Sequence, residues 1–418
     1  MVLEIRLSNF FSFDEEVVLD MRAANFKSEK ARKLAHNLIQ GKGGNVLKSA
    51  AIYGANASGK SNLIKTIRFC HAMVYDSHKH NENTNYNFQP FKLSNLINKP
   101  SEYFIRFITE GVEYEYSFSL TQDRIITEKL YYYPKGRIAK VFERDERKGK
   151  SKKEKYSFAP GVIKRPLDVA ENTSDKTLYI SRASQMDREI PKIIFNYFSK
   201  RFILRYFHFA GSHLDQLVKL RKPQLLKALQ LADSDIIDFK HRVVQQKGKR
   251  IRANFDTEEA TFEEDVAENI EIKTFHKYKP NVSFDLFREE SEGTQKLFFM
   301  MLLILDIIQN NKVLLVDEIE DSLHPKIVEY IIDLFHHSKG AQLIFTTHNT
   351  NLLNMDRFRK DQIWFVNKKR NGGSELYSLQ DYGDFRDTMD LEKAYLQGRF
   401  DSVPIVDDST ERIKSLIG

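Results

Sequence analysis

The stretch Gly54–Ser61, GANASGKS, decides the fold of this 418-residue chain. It fits the pattern G-x-x-x-x-G-K-[ST], with the apolar stretch KSAAIY before it and the helical pattern KSNLIKTIRFCHAMV after it. This context predicts a phosphate-binding loop between a strand and a helix, where backbone N–H groups approach phosphates closely. We expect Lys60 to neutralise the β- and γ-phosphates of ATP and Ser61 to bind Mg²⁺. The predicted nucleotide contacts are those of Gly54, Ala55, Asn56, Ala57, Ser58, Gly59, Lys60, Ser61 and Asn62.

Two later strands predict the rest of a hydrolytic site. KVLLVDE reads as a buried strand that ends in Asp317 and Glu318. We expect Asp317 to hold Mg²⁺ and Glu318 to polarise the attacking water, although two acids also occur at ordinary polar strand ends. The next apolar strand, QLIFTTHN, ends at His348, which should emerge at the same sheet edge and hydrogen-bond the γ-phosphate. The alternative for His348 is a structural role.

A second turn of small residues opens a later helix. REESEGTQKL, Arg288–Leu297, places Ser291 where a helix N-cap is expected. The helix continues as LFFMMLLILDII, which is too short for a membrane span and contains Asp306, so we expect it to be buried.

The alternation of strand and helix predicts three segments. Residues 1–88 and 274–418 read as two lobes of one α/β domain, because their strands are apolar enough for a parallel sheet covered on both faces. Residues 89–273 contain the alternating strands EYFIRFI, VEYEYSFSL and IITEKLYYY, followed by helical patterns. The predicted fold is thus an α/β domain assembled from both chain ends, with an antiparallel-sheet and helical insertion.

Composition narrows the class of protein. The chain is 41% hydrophobic and 29% charged, and it lacks an apolar run of the roughly 18 residues that a membrane span requires. Its single cysteine, Cys70, forms no internal disulfide and offers no metal-binding spacing. The N-terminus has no signal-peptide pattern, so we expect a cytoplasmic protein without membrane association.

Positive charge is concentrated in the middle of the chain. Residues 135–155 hold ten Lys or Arg against four Asp or Glu, and residues 240–252 add six basic residues without an acid. Residues 256–271 then carry eight acids and no base. These runs fit a solvated surface, and the alternative is contact with nucleic-acid phosphates.

The order of the motifs resembles a known family. The phosphate loop, SEGTQ, LLVDE, DSLHP and TTHN follow one another as in the ABC-type ATPase heads of the SMC and RecF group. With LSNFFSF, PFKL and YLQGRFDSVP added, the chain is similar to a prokaryotic subgroup of AAA-type ATP-binding proteins that includes OLD-like and PARIS-like systems. The likeness covers both chain ends well and the middle loosely.

The resemblance implies a site shared between two chains. Ser291 and Gly293 would grip the γ-phosphate bound to a partner subunit, and Asp321 would lie in a turn that crosses the dimer interface. It further implies that Gln89 senses Mg²⁺ and that the chain forms a homodimer or a higher homo-oligomer through its ATP sites. The family's usual signature has an aliphatic residue and two glycines, where this chain has Glu290, Glu292 and one glycine.

The same resemblance implies a function. ATP binding and hydrolysis would close and open two heads, and the chain would serve an anti-phage system as a sensor that controls a separate nuclease or toxin. The sequence itself shows no second acidic cluster with nuclease-like spacing. The alternatives are a RecF-like, DNA-binding ATPase of DNA repair that uses the basic insertion, and a structural assembly that hardly hydrolyses ATP.

Overall fold

The structure is a computed structural model that describes residues 1–41, 43–204, 211–232, 235–254, 259–321, 323–386 and 389–403, together with residues 412 and 415. Pro404, which ends the YLQGRFDSVP motif, lies outside them, as does most of the C-terminal tail. The chain forms two compact units. The first comprises Met1–Leu204, Asn311–Glu320 and Ile332–Gly418, and the second comprises Arg205–Asn310 and Asp321–Ile331. The division of the chain into the segments 1–88, 89–273 and 274–418 stays a prediction.

The regular elements of the described residues are as follows. The strands are β1 (Val2–Ser8), β2 (Val17–Asp20), β3 (Leu38–Ile39), β4 (Val46–Leu47), β5 (Ser49–Tyr53), β6 (Ser101–Thr109), β7 (Val112–Leu120), β8 (Ile125–Tyr132), β9 (Ala139–Asp145), β10 (Tyr156–Phe158), β11 (Phe202–Ile203), β12 (Ile236–Asn254), β13 (Glu259–His276), β14 (Lys279–Asp285), β15 (Val313–Val316), β16 (Gln342–Thr346), β17 (Ile363–Lys368) and β18 (Ser374–Ser378). The helices are α1 (Glu29–Lys33), α2 (Lys60–Asp76), α3 (Lys152–Lys155), α4 (Pro166–Glu171), α5 (Tyr179–Gln185), α6 (Glu189–Asn196), α7 (Gly211–Leu231), α8 (Glu292–Gln309), α9 (Pro325–His336) and α10 (Leu391–Leu396).

A mainly parallel sheet carries the phosphate loop of the first unit. Its order is β11-β15-β16-β5-β17-β18, and only the pairing of β17 with β18 is antiparallel. Strand β5 lies between β16 and β17, so an N-terminal strand is inserted between two C-terminal ones. All residues of β5 and β16 are buried, as expected for strands covered on both faces. The predicted α/β fold, with a mainly parallel sheet assembled from both chain ends, is confirmed.

A second sheet of the first unit is antiparallel. Its order is β10-β9-β8-β7-β6-β1-β2. Alternate residues of β6 face the core, including Tyr103, Ile105 and Phe107, which confirms the predicted period of two. The N-terminal strand joins this insertion, with Ile5 opposite Ile105. The buried side chains of this sheet form one core with those of α2, including Ile67.

The second unit contains the long antiparallel strands β12 and β13, the shorter β14, and the helices α7 and α8. Helix α8 buries Leu297, Phe298, Met301 and Leu302, which confirms the prediction of a buried helix. The ring of Phe298 packs edge-on against Phe239 of β12 at 5.1 Å. Among the described residues, we find no helix with the length and apolar character that crossing a membrane requires.

Candidate active site

The loop between β5 and α2 requires glycine at two positions. Gly59 forms the N-cap of α2 with a φ of +119°, a left-handed conformation that side chains disfavour. A Cβ atom at Gly59 would collide with Ser374 Oγ and lie 2.8 Å from Ser12 Oγ. A Cβ atom at Gly54 would collide with the carbonyl oxygen of Val366. The motif glycines are therefore needed for close packing as well as for the turn.

The Lys60 side chain lies inside this loop. It is 5% exposed, and its ammonium donates hydrogen bonds to the carbonyl oxygens of Gly54 at 2.7 Å and Ala55 at 3.0 Å. Burial lowers the pKa of Lys60 to about 8, against the opposing effect of the nearby carboxylates Glu318 and Asp317. The loop thus surrounds a buried cation, as phosphate binding requires.

Two serines outside the motif hold the loop in place. Ser374 donates its hydroxyl to the Ser58 carbonyl at 2.5 Å and its backbone N–H to the Ser12 carbonyl at 2.6 Å. Asn62, a predicted site residue, donates to Ser12 Oγ at 3.0 Å. Neither Ser12 nor Ser374 was predicted. LSNFFSF, which contains Ser12, was noted as a motif, but Ser374 carries no sequence signal.

The turn that carries Ser12 is fixed by a buried carboxylate. Asp14 accepts hydrogen bonds from Lys369 at 3.0 Å and from Asn371 at 2.8 Å. These two bonds lower the pKa of Asp14 although burial alone would raise it. Gly373 approaches so closely that a Cβ atom there would collide with the carboxylate. The β17–β18 hairpin is therefore tied both to this turn and to the phosphate loop.

The predicted acids lie beside the loop. Asp317 accepts hydrogen bonds from Thr346 Oγ1 at 2.6 Å and from Ser61 Oγ at 3.4 Å. Thr346 Oγ1 also accepts the backbone N–H of Glu318 at 2.8 Å. Thr346, the last residue of β16, was not predicted, yet its hydroxyl orders both acids.

Glu318 and His348 face each other, as their positions at neighbouring strand ends predicted. His348 Nε2 lies 3.9 Å from Glu318 Oε1, and the two side chains are 40% and 54% exposed. Glu318 has a φ of +51°, an uncommon conformation for a residue with a side chain and one that clusters at functional sites. Partial burial and the charge of Lys60 lower the pKa of His348, against the opposing effect of Glu320, Glu318 and Asp317. The backbone N–H of His348 donates to Glu320 Oε1 at 2.5 Å.

The remaining predicted residues lie as follows. Gln89 has an exposed side chain, and its carbonyl accepts the N–H of Phe11 at 2.7 Å. Ser291 caps α8 by accepting the N–H of Thr294 at 3.1 Å, which confirms the N-cap. Gly293 is exposed, and a Cβ atom added there would meet only Ser291 Oγ, at 3.8 Å. Asp321 is exposed, and its Oδ2 lies 3.5 Å from Lys296 Nζ.

These placements separate the predicted residues into two groups. Lys60, Asp317, Glu318 and His348 belong to the first unit, whereas Ser291, Gly293 and Asp321 belong to the second. Within the first unit, hydrogen bonds link Asp317 to Ser61 and Thr346, and His348 Nε2 lies 3.9 Å from Glu318 Oε1. The roles of Gln89 and of the second group stay predictions.

Several basic side chains of the insertion bind other residues of the same chain. Arg144 is fully buried and donates to Glu146 at 2.7 Å, and Lys152 donates to the Thr173 carbonyl at 2.7 Å. In the second run, Arg242 pairs with Glu271 at 2.6 Å. The rest of β12 lies in register with the acid-rich β13, although the side chains of residues 246–268 lie outside those described. The Arg242–Glu271 pair fits a solvated surface, and contact with nucleic-acid phosphates stays the alternative.

The chain matches a known family. The sequence model of the family described as "AAA domain, putative AbiEii toxin, Type IV TA system" matches residues 49–354. These residues include the phosphate loop, the α8 turn, the acid pair and His348. No curated protein matches the chain.

Solved structures of SMC heads are similar to the chain at low identity. An SMC head bound to the C-terminal winged-helix domain of ScpA is 18% identical, with a TM-score of 0.41 over 94% of this chain and 99% of that one. The SMC head domain from Thermotoga maritima is 15% identical, with a TM-score of 0.36 over 90% and 98%. An Smc head with a coiled coil and joint from Pyrococcus yayanosii is 13% identical, with a TM-score of 0.42 over 96% and 99%.

Proposed function

Since this chain belongs to the AAA family described with the AbiEii toxin and type IV toxin–antitoxin systems, we propose that it is an ATPase that acts as a nucleotide-gated, dimerising switch. The observation that carries the proposal is the hydrogen-bond chain Ser61–Asp317–Thr346 beside a loop that holds the buried cation of Lys60. Glu318 and His348 lie next to these hydrogen-bonded residues, where the terminal phosphate of ATP would lie.

The residues present fit Mg²⁺ as the cofactor. Ser61 Oγ and Asp317 Oδ1 are 3.4 Å apart, so two oxygen ligands are already adjacent. In the described residues, no group of three or more His, Cys, Asp or Glu could hold a metal by itself. That arrangement suits Mg²⁺, which takes one or two carboxylates and completes its shell with water and substrate phosphates. When bound, Mg²⁺ neutralises charge on the β- and γ-phosphates.

The chain's own residues then divide the chemistry of hydrolysis. Lys60 and the loop N–H groups bind the phosphates of ATP. Glu318 accepts a proton from the water whose oxygen attacks the γ-phosphorus, while the bond from that phosphorus to the bridging oxygen breaks. ADP leaves with the bridging oxygen, and inorganic phosphate and one proton complete the balance. His348 donates a hydrogen bond to the γ-phosphate, which lets it distinguish ATP from ADP.

The switch would act between two copies of the chain. Ser291 and Gly293 are exposed at the N-terminus of α8, and their backbone N–H groups suit an anionic group such as a phosphate. Two chains would form two complete sites, each with the phosphate loop of one copy and the α8 turn of the other. The state of the dimer would control a separate nuclease or toxin in anti-phage defence, in keeping with the toxin–antitoxin context in the family's description.

Replacement of the base tests the enzymatic part of the proposal. Glu318→Gln should lower ATP turnover about 100- to 10,000-fold, because the amide cannot accept the proton from water. Nucleotide binding should persist and accumulate a nucleotide-bound dimer, which light scattering would detect. Lys60→Ala should instead weaken ATP binding itself. Unchanged turnover by Glu318→Gln would refute the assignment of the base.

Phage challenge tests the biological part. Cells that carry the gene with its neighbours should resist phage, and both Lys60→Ala and Glu318→Gln should abolish the resistance. Gly383→Ala is the matched control, since a Cβ atom at Gly383 meets nothing within 4 Å. Resistance that survives both site variants would contradict the defence role and leave the ATPase assignment to its own test.

A further inference from the structure

Glu320 is a partly buried acid that the proposed chemistry does not use. It follows the acid pair by two residues, and its Oε1 accepts the backbone N–H of His348 at 2.5 Å. Its Oε2 is buried and has no hydrogen-bond partner within the described structure. The fully buried Tyr53 is near enough that the charge of Glu320 raises the pKa of the phenol, in addition to the larger effect of burial. A buried carboxylate oxygen without a partner is uncommon, so the arrangement of this side chain requires an explanation.

The hydrogen bond between His348 and Glu320 lies immediately beyond the last backbone hydrogen bond of the sheet. Thr347 still donates its N–H to the Ile52 carbonyl of β5 at 3.1 Å. His348 is the next residue, and its N–H is bound by the Glu320 carboxylate instead of by a strand. Asn349 then turns the chain by donating to Thr347 Oγ1 at 3.0 Å. Glu320 therefore fixes the first residue beyond the sheet.

Thr346 and Glu320 connect the same two segments by hydrogen bonds in opposite directions. The backbone N–H of Glu318 donates to the Thr346 side chain at 2.8 Å, and the backbone N–H of His348 donates to the Glu320 side chain. The end of β16 and the segment after β15 thus each use a side chain to hold the backbone of the other. The two hydrogen bonds hold the backbones of Glu318 and His348, whose atoms Oε1 and Nε2 are 3.9 Å apart.

We propose that Glu320 is a positioning residue for hydrolysis, which holds the His348 imidazole beside Glu318 through the His348 backbone. The proposal rests on the proposed ATPase function. It assigns Glu320 to the chemical step because its hydrogen bond is with the His348 backbone, while its charge also favours the cationic form of Lys60.

Three variants test the role. Glu320→Ala removes the acceptor and should lower single-turnover hydrolysis about 10- to 100-fold, as expected for a small displacement of a reacting group. The dissociation constant for ATP should stay within about twofold, since the lost interaction matters in the transition state. Glu320→Gln keeps an acceptor oxygen and should restore most of the rate. Glu392→Ala is the control, because Glu392 accepts a hydrogen bond from Thr350 farther along the same loop and does not contact the His348 backbone.

A double-mutant cycle shows whether Glu320 acts through His348. In a His348→Ala background, Glu320→Ala should have little further effect on hydrolysis. If Glu320→Ala does not fold, Glu320→Asp replaces it, since it keeps the charge but withdraws the acceptor by one methylene and should slow hydrolysis in the same way.

Several results would overturn the proposal. These are unchanged hydrolysis by Glu320→Ala, equal losses in binding and rate, failure of Glu320→Gln to restore the rate, or full additivity with His348→Ala. Failure of the ATPase assignment looks different, because Glu318→Gln would then leave turnover intact whatever Glu320 does.

Discussion

At the scale of single residues, Gly59 offers the sharpest test of the phosphate loop. Gly59→Ala places a Cβ atom at a φ of +119° and into Ser374 Oγ. Strain of this kind costs about 1–3 kcal/mol, so if the loop relieves it by leaving the binding geometry, ATP affinity should fall about 5- to 150-fold. Fluorescence titration with a labelled ATP analogue measures the change. Gly383→Ala, which meets no atom within 4 Å, should bind ATP like the unaltered protein. Equal affinities for the two variants would show that the contact with Ser374 does not shape the loop.

The residues that the sequence identified are those with local signals. Gly54, Lys60 and Ser61 belong to one short motif, and Asp317 with Glu318 ends an apolar strand. The residues that hold them, Ser12, Thr346, Ser374 and Glu320, act through contacts between segments far apart in the chain. A serine or threonine in an ordinary strand has no pattern that would reveal such contacts.

At the scale of elements, a buried histidine links α9 to β5. His336 is 1% exposed, and its Nε2 lies 2.8 Å from Ser49 Oγ. Burial and, to a smaller extent, nearby positive or titratable groups lower its pKa to about 3. These groups are His36, Arg357, His337 and Lys48. The folded protein therefore keeps His336 neutral at pH values where the unfolded chain protonates it.

This histidine predicts a loss of stability in acid. Between the unfolded pKa of 6.5 and the folded pKa of about 3, the unfolded state binds the extra proton, so falling pH destabilises the fold. One such group changes the free energy of unfolding by about 1.4 kcal/mol per pH unit. Urea unfolding at pH 7.5 and pH 5, followed by the fluorescence of Trp364, measures it, since Trp364 is the only tryptophan. His336→Gln should flatten this dependence, and an unchanged slope would exclude His336 as its source.

Glu128 of β8, which is paired with Arg144 of β9, joins the antiparallel sheet to α5. Glu128 accepts the N–H groups of Tyr179 at 2.6 Å and Ile180 at 3.0 Å, and Arg144 lies 3.6 Å from its carboxylate. Arg144→Ala should lower the free energy of unfolding by about 3–5 kcal/mol, because it leaves a buried carboxylate without its counter-charge. Arg147→Ala, which removes an exposed pair with Asp145, should cost at most about 1 kcal/mol. Similar losses for both variants in urea unfolding would contradict this assignment.

Elements were easier to predict than their pairing. The alternating strands of the insertion and the buried helix α8 followed from hydrophobic periodicity. The pairing of β1 with β6 did not, because segments so far apart in the chain leave no local trace of their register. The partnership between the basic β12 and the acid-rich β13 was likewise visible only in the structure.

At the scale of the whole molecule, mixing two inactive variants tests whether sites are shared. Lys60→Ala disables one half of the proposed site and Gly293→Asp disables the other. In a symmetric dimer, a mixed pair has one site built from two intact halves, so an equal mixture should recover about a quarter of normal turnover. Steady-state ATPase assays before and after mixing measure this. Each variant alone supplies the baseline, and no recovery would mean that one chain contains its complete site.

Strand β5 lies between β16 and β17, and this order has a consequence for biosynthesis. The phosphate loop leaves the ribosome early, but β16 is translated roughly 290 residues after β5, which takes about 15–60 s at bacterial rates. During that interval the nascent β5 has neither neighbour, and its apolar face is a target for chaperones or for aggregation. A truncated product that ends before β16 should therefore be cleared by proteases, so that only completely translated chains gain the ability to bind nucleotide.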